Sequence, residues 1–485
     1  MVLSLENHKL VLTKARFYLI LVLTLLVLFT RFWQLDNPDP STDEMHYIKE
    51  AALLSMNDPN INPRHHMFHH PTPNFPHPFL VGDFIAISFK TFDYSVFAGR
   101  LPGALFSFLT VFVVFIFVYL LSKKFKLAYT AALFSAMLPI NIRYARELYL
   151  DSILAFFIIL TALFWWLFLK KKSFLYAVLT GICLGLAVST KITGIALFVP
   201  ILVTGLFNFK QLKKHYLKLT FLVPAFALVF VLLNSPQAYL SGLTYHPNTR
   251  TANWGIESIL TGIFSPKYFS YWFYMLIYNF TLPIVALSGY GIYKLFKDKK
   301  TQLSKNFQFV LIFLISYLVF AVSTHLPSGI SGPWAYQPEL NLLVTLAAYG
   351  LFKTNYRSLI LIGTLFYITL LSLLHGFRIS NDPFVAYHNL KFNENYTYRI
   401  LSDIKLLTTQ KTPLYIHLAF DDSALPDYEL PAGVNFKAWE YKDRIDLAIT
   451  DKAYYAKDLE KDYFLYKTYN YSKIKPVYLY LRKDF

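Results

Sequence analysis

The stretch that decides the fold runs from residue 14 to residue 44 and reads KARFYLILVLTLLVLFTRFWQLDNPDPSTDE. Lys14 and Arg16 precede an unbroken apolar run over 17–30, which ends on Phe32 and Trp33 and gives way to a polar segment closed by Asp43 and Glu44. A basic start, an apolar middle and an aromatic finish suit a membrane-spanning helix whose N-terminus stays in the cytoplasm. No small-residue cleavage site follows, so the segment is expected to be a retained span and not a removed signal peptide. Asp43 and Glu44 are thereby expected at the outer surface.

The whole chain has the same character. Of its 485 residues 55% are hydrophobic and 15% charged, where a soluble domain has about 25% charged; a polytopic membrane protein is implied. Cys183 is the single cysteine, so the chain can form no internal disulfide. The formal charge of +17 would suggest nucleic acid in a soluble protein, but here it has to be sorted by membrane side first.

Further apolar runs near 98–121, 127–140, 152–169, 173–190, 192–207, 217–234, 271–293, 307–324, 337–352 and 357–375 bring the expected number of spans to eleven. With an inside N-terminus, the inner loops then collect Lys123, Lys124 and Lys126; Lys170, Lys171 and Lys172; Lys210, Lys213, Lys214 and Lys218; Lys294, Lys297, Lys299, Lys300 and Lys305; and Lys353 with Arg357. Only Glu6 and Asp298 oppose them on that side, as the positive-inside rule requires. Reading 78–91 as a further span would move these lysines outside, so that stretch is expected to lie in the outer interface. Loop 34–97, with its interfacial helices, then faces out, as do 141–151, Lys191, 235–270, 325–339 and the tail.

Residues 1–376 thus read as an all-α membrane domain. The tail, 377–485, is rich in charge and tyrosine and reads as a small extracytoplasmic α/β domain, with a helix over 393–410 and strands over 413–420, 446–451 and 476–482.

The chain carries no glycine-rich phosphate loop, nucleophile elbow or cysteine metal site. Its inner loops are too short for a nucleotide-binding domain. An enzyme of this design would work at the outer face on an activated substrate dissolved in the membrane, a requirement that a polyprenyl-phosphate-linked group meets. Arg143 and Arg146 stand outside against the prevailing charge bias, with Lys191 at a neighbouring outer mouth. Guanidinium groups grip phosphate bidentately and stay charged, which suits a phosphate leaving group. The plainer reading has these side chains reaching for headgroups or pairing locally, Arg143 with Glu147 for instance. Ser41-x-x-Glu44 is likewise a capping box, with Asp43 suited to a first helical turn. His65, His66, His69, His70 and His77 fill the first loop, but the prolines among them oppose a continuous metal-binding helix. His246 and Arg250, near Trp254, are candidates to face substrate.

Taken together, Asp43-Glu44 after the first span, His77-Pro78-Phe79-Leu80, Arg100-Leu101-Pro102 opening the second span, and Ala145-Arg146 through Asp151 before the fourth resemble the GT-C glycosyltransferases. The group is the one that holds protein O-mannosyltransferases and lipid A aminoarabinose transferases. Two places depart from its pattern: the usual Pro-Pro is Pro78-Phe79, and Trp334-Ala335-Tyr336-Gln337-Pro338 lacks the Arg-Tyr that often precedes this span. The resemblance implies a polyprenyl-phosphate-sugar donor, transfer with inversion and a site between the first outer loop and the membrane. By position it makes Asp43 the catalytic acid of the first loop, beside Glu44. Donor-phosphate binding is assigned to Arg143, Arg146 and Lys191, and substrate contacts to His77, Asp151, His246, Arg250 and Tyr336. A divalent metal, if one is used, would fall to Asp43, Glu44 and Asp151. The expected function is transfer of a sugar from the lipid carrier to an extracytoplasmic glycan, lipid or protein, in a bacterial or archaeal plasma membrane. The rival class is a transporter or flippase of lipid-linked sugars, which would be expected to hold ionisable groups at mid-membrane.

Overall fold

The computed structural model describes residues 2–5, 8–11, 13–36, 47, 80–92, 95–234, 275–298, 301–325 and 337–373, and in the tail 403–404, 406–410, 414–419, 434–436, 446–450, 461–469 and 477–484. A two-stranded hairpin, β1 (Val2–Leu5) and β2 (His8–Val11), precedes helix α1 (Lys14–Phe32). The Thr13 hydroxyl caps α1 by accepting from the Arg16 amide, which satisfies one of the amides that a helix start leaves unpaired. One flank of α1, including Phe17, Val22, Leu25 and Phe29, is exposed, as a lipid-facing helix requires.

Helix α2 (Leu80–Phe92) packs against α3 (Val96–Ser122). Pro102 lies inside α3 and has no amide proton to give the Ala98 carbonyl. The Ser88 hydroxyl of α2 donates to that carbonyl at 2.6 Å instead, so the proline's missing bond becomes the joint between the two helices.

The run 127–140, expected as one span, is broken. Helix α4 (Phe125–Met137) ends at Leu138, and Pro139 opens α5 (Pro139–Arg146) at a bend of 54°. The carbonyls freed by the break are taken by side chains: Arg31 Nη1 donates to Ala136 O at 2.9 Å, Asn141 Nδ2 to Ser135 O at 3.0 Å, and Ser372 Oγ to Met137 O. Buried backbone acceptors are almost always paired, and here α1, α5 and the end of the last apolar helix all meet at the break.

Helix α6 (Leu150–Lys171) is the most enclosed of the long apolar helices and runs through the core beside α3 and α7 (Phe174–Thr190). A 3-10 turn (Ile192–Leu197) leads into α8 (Phe198–Phe207), and short helical turns lead to α9 (Leu222–Leu233). A π turn (Met275–Asn279) precedes α10 (Leu282–Lys297), then α11 (Gln302–His325), α12 (Gln337–Lys353) and α13 (Arg357–Leu371). The run 271–293 is therefore also interrupted, whereas the turns before Leu222 leave Lys213–Leu233 as one candidate span. Helices α10 and α12 touch backbone to backbone: a Cβ on Gly350 would lie 2.0 Å from the Leu287 carbonyl, and one on Gly291 2.5 Å from that of Leu346. Close approach at small residues is a usual means of association where lipid offers no hydrophobic drive.

Among the described residues, five helices are long and apolar enough to cross a membrane, or six if the bent α4–α5 pair is one span, with Phe174–Thr190, Thr193–Phe207 and Arg357–Leu371 shorter but apolar. Side-chain bonds fix which ends lie together. Asn306 bonds the Leu121 carbonyl, Ser304 the Tyr349 hydroxyl and Lys353 the Asp298 carboxylate, so the lysine-rich ends of α3, α10, α11 and α12 share one face. The opposite face holds the ends of α1, α6, α7 and α12 and the whole of α5.

In the tail, β3 (Leu414–Ala419), β5 (Leu447–Thr450) and β7 (Val477–Arg482) fall where strands are expected, and residues 403–404 and 406–408 are helical. Two further strands, β4 (Val434–Phe436) and β6 (Tyr463–Tyr469), complete a sheet of order β4-β3-β5-β7-β6, parallel on the β4-β3-β5 side and antiparallel on the other.

Candidate active site

The face without the lysine clusters holds most of the buried charge among the described residues. Arg31, at the end of α1, is fully buried and bonds only neutral groups: Ser107 Oγ at 3.0 Å, Thr30 Oγ1 and Ala136 O at 2.9 Å. Arg100, also fully buried, donates to Leu35 O at 3.0 Å. Arg146 donates to Trp33 O and, at 2.9 Å, to Gln34 O. Arg146 lies within electrostatic reach of the other two guanidinium groups. Arg100 and Arg146 thus grip three consecutive carbonyls of the turn leaving α1, where Gln34 has a φ of 48°. In the sequence this turn is followed, eight residues after Leu35, by Asp43 and Glu44.

A second, mixed cluster lies between α6, α7 and α12. Lys191 Nζ bonds both Asp151 oxygens at 2.8 Å, and both residues are buried. Ser152 Oγ donates to Tyr144 O at 2.6 Å and bonds Gln337 Oε1 at 3.1 Å. Asn234 Nδ2 donates to Ser189 Oγ at 2.7 Å. Glu339, in the first turn of α12, is 4% exposed and lies within electrostatic reach of Asp151 and Lys191, yet neither carboxylate oxygen has a hydrogen-bond partner among the described residues.

The three proposed phosphate cations are therefore placed differently. Arg143 makes the local pair with Glu147 at 3.1 Å and stacks on Tyr144. Arg146 holds backbone, and Lys191 holds Asp151. Asp43, Glu44, His77, His246, Arg250 and Tyr336 lie outside the described residues. Among the described residues no group of three His, Cys, Asp or Glu side chains is placed to hold a metal ion. Asp151, one of the three assigned metal ligands, already spends both oxygens on Lys191.

Sequence reasoning missed Arg31 and Glu339. Each is a single charge at the end of an apolar run and looks like an ordinary boundary charge, although an ionisable group buried at the end of a span is expensive enough to be a signal in itself.

The family model described as dolichyl-phosphate-mannose-protein mannosyltransferase matches residues 21–286. Among solved structures, ArnT from Cupriavidus metallidurans in the apo state is similar over 96% of this chain and 98% of its own, with 14% identity and a TM-score of 0.60. The same protein bound to undecaprenyl phosphate gives 14% identity and 0.59 over 95% and 97%. At this identity the likeness speaks for the fold. No curated protein matches the chain.

Proposed function

The chain belongs to the dolichyl-phosphate-mannose-protein mannosyltransferase family, and from that premise we propose that this integral membrane glycosyltransferase moves a sugar, with inversion, from a polyprenyl-phosphate carrier to an acceptor outside the cytoplasm. The acceptor is a glycan, lipid or protein. The observation that carries the reading is the pinned turn after α1: two buried arginines fix the chain at the membrane boundary, eight residues before Asp43. A carboxylate launched from such a boundary can meet both a membrane-held donor and a water-side acceptor.

In the proposed reaction the acceptor oxygen attacks the anomeric carbon from the face opposite the phosphate. The bond from that carbon to the phosphate oxygen breaks, polyprenyl phosphate leaves with the electron pair, and Asp43 takes the acceptor proton. One general base suffices for a single inverting displacement. Arg143, Arg146 and Lys191 are the proposed cations for the growing phosphate charge. Arg143 and Lys191 are each tied to one carboxylate, which a phosphate would have to displace, whereas Arg146 acts on donor and turn alike. A divalent metal held by Asp43, Glu44 and Asp151 would have to displace Lys191 from Asp151 and would supply further positive charge for the leaving phosphate.

We place the site on the outer face of a bacterial or archaeal plasma membrane, with eleven spans, a cytoplasmic N-terminus and residues 377–485 outside as a separate domain. Purified protein incubated with a panel of polyprenyl-phosphate sugars should release polyprenyl phosphate with at least one of them. Movement of the intact lipid across a vesicle membrane without release would instead establish the flippase. A reporter fused after Phe485 that works only in the cytoplasm would overturn the topology.

A further inference from the structure

We infer that Glu339 is the residue that reads the transferred sugar, accepting hydrogen bonds from its hydroxyl groups; the inference rests on the glycosyltransferase reading above. A buried carboxylate with two unpartnered oxygens is costly to keep, and buried polar groups left without partners call for an explanation. The cation nearest at hand does not provide one, since Lys191 is held by both oxygens of Asp151 at 2.8 Å. Tyr317, a buried hydroxyl within electrostatic reach of Glu339 and Asp151, makes no hydrogen bond to Glu339 either, so Glu339 needs donors that these neighbours do not supply.

The chemistry of those donors follows from what else is open at this face. Among the described residues, the buried side-chain atoms without a partner here are Asn141 Oδ1, Asn234 Oδ1, Thr281 Oγ1 and both Glu339 oxygens. The Asn141 amide is oriented by its Nδ2 bonds to Ser135 O at 3.0 Å and Asn341 Oδ1 at 3.4 Å, and the Asn234 amide by its bonds to Ser189 and Phe230, so in each case the oxygen is the atom left over. Thr281 is itself an outlier, a fully buried β-branched residue with φ 61° next to a π turn, the kind of backbone that clusters at functional sites. The open set is thus made of acceptors and one hydroxyl. A phosphate diester offers no donors to such a set, whereas a sugar offers several hydroxyl donors. Glu339 is also within electrostatic reach of Lys191, one of the cations proposed for the donor phosphate, which is where a sugar attached to that phosphate has to lie.

The test compares two lipids on the same protein, dolichyl-phosphate-mannose and bare dolichyl phosphate, with binding measured for the wild type and for Glu339→Gln. The glutamine keeps the size and replaces one of the two acceptor oxygens by a donating NH2 group. The expected result is an affinity loss of about tenfold or more for the mannosyl lipid, the scale of a hydrogen bond to a charged group, with the bare lipid unchanged. Equal losses for both lipids, or none for either, would overturn the inference while leaving the glycosyltransferase reading intact. A wild type that binds the mannosyl lipid no more tightly than the bare one would also overturn the inference, since nothing would then read the sugar, while the release assay with the sugar panel decides the glycosyltransferase reading separately. If Glu339→Gln does not fold, Glu339→Asp, which keeps the charge but retracts it, is expected to show the same selective loss. A mannosyl lipid bound by Glu339→Asp as tightly as by the wild type overturns the inference equally.

Discussion

Lys191 and Lys353 are each paired with an aspartate at under 3 Å, at opposite ends of the helical bundle. Lys191 and Asp151 keep 11% and 2% of their side chains exposed, against 21% and 31% for Lys353 and Asp298. The second pair is an ordinary surface contact at the lysine-rich end of the bundle. Its carboxyl is held below the usual range by the Lys353 hydrogen bond, so what the pair contributes is present at neutral pH and lost as pH falls below the ordinary carboxylate range. The first pair lies with Arg31, Arg100, Arg146 and Glu339 in an enclosed layer where an unmatched charge has no water to turn to. The same ion pair thus sits half-open to the surroundings at one end, while at the other it is part of a polar interior.

Mutations can break this contrast. Asp151→Asn should have the largest effect, because it strands a buried ammonium: a stability loss of about 3–5 kcal/mol, seen as a lower melting temperature in detergent. A melting point near that of the wild type would show the two pairs to be equivalent after all. Asp43→Asn keeps size and most capping ability, and should cut turnover by about 100-fold or more with thermal stability unchanged. Near-normal turnover would return Asp43 to the capping box. Arg146→Ala removes the donor to Trp33 O and Gln34 O and should cost about 1–3 kcal/mol together with donor affinity. Arg143→Ala should reduce donor affinity alone, and unchanged affinity in both variants and in Lys191→Ala would end the phosphate assignment. At the far end, Asp298→Asn is expected to leave both activity and melting temperature unresolved from the wild type, because exposed pairs contribute little.

How much of this could be read from the chain depended on whether the signal was local. The span α1 is written in one uninterrupted run with a basic start, and α6 closes on three lysines that mark its end. Pro139 was visible too, but it sits inside a continuous apolar run, and hydropathy alone does not separate a straight helix from one bent by 54°. Asp151 and Lys191 are separately legible as outer charges; their pairing across 40 residues exists only once α6 and α7 lie side by side. Strand β6 was missed because Phe464, Leu465, Tyr466 and Lys467 are all exposed, so no apolar alternation marks it. The acidic pair is singled out by resemblance, because Ser41-x-x-Glu44 alone reads equally well as a capping box.

The bend at Pro139 also bears on the order in which the protein can be made. Its Met137 carbonyl is bonded by Ser372, 235 residues further along the chain, and Ala136 by Arg31, 105 residues earlier. A ribosome delivers α1 first and the end of α13 more than two hundred residues after the bend itself. Through most of synthesis the bent pair therefore waits in the membrane half-closed, and the last apolar helix to insert is the one that completes the arrangement around it. A nascent chain stalled before residue 372 should hold α5 less firmly than the finished protein, which protease or crosslinking accessibility at Arg143 would register.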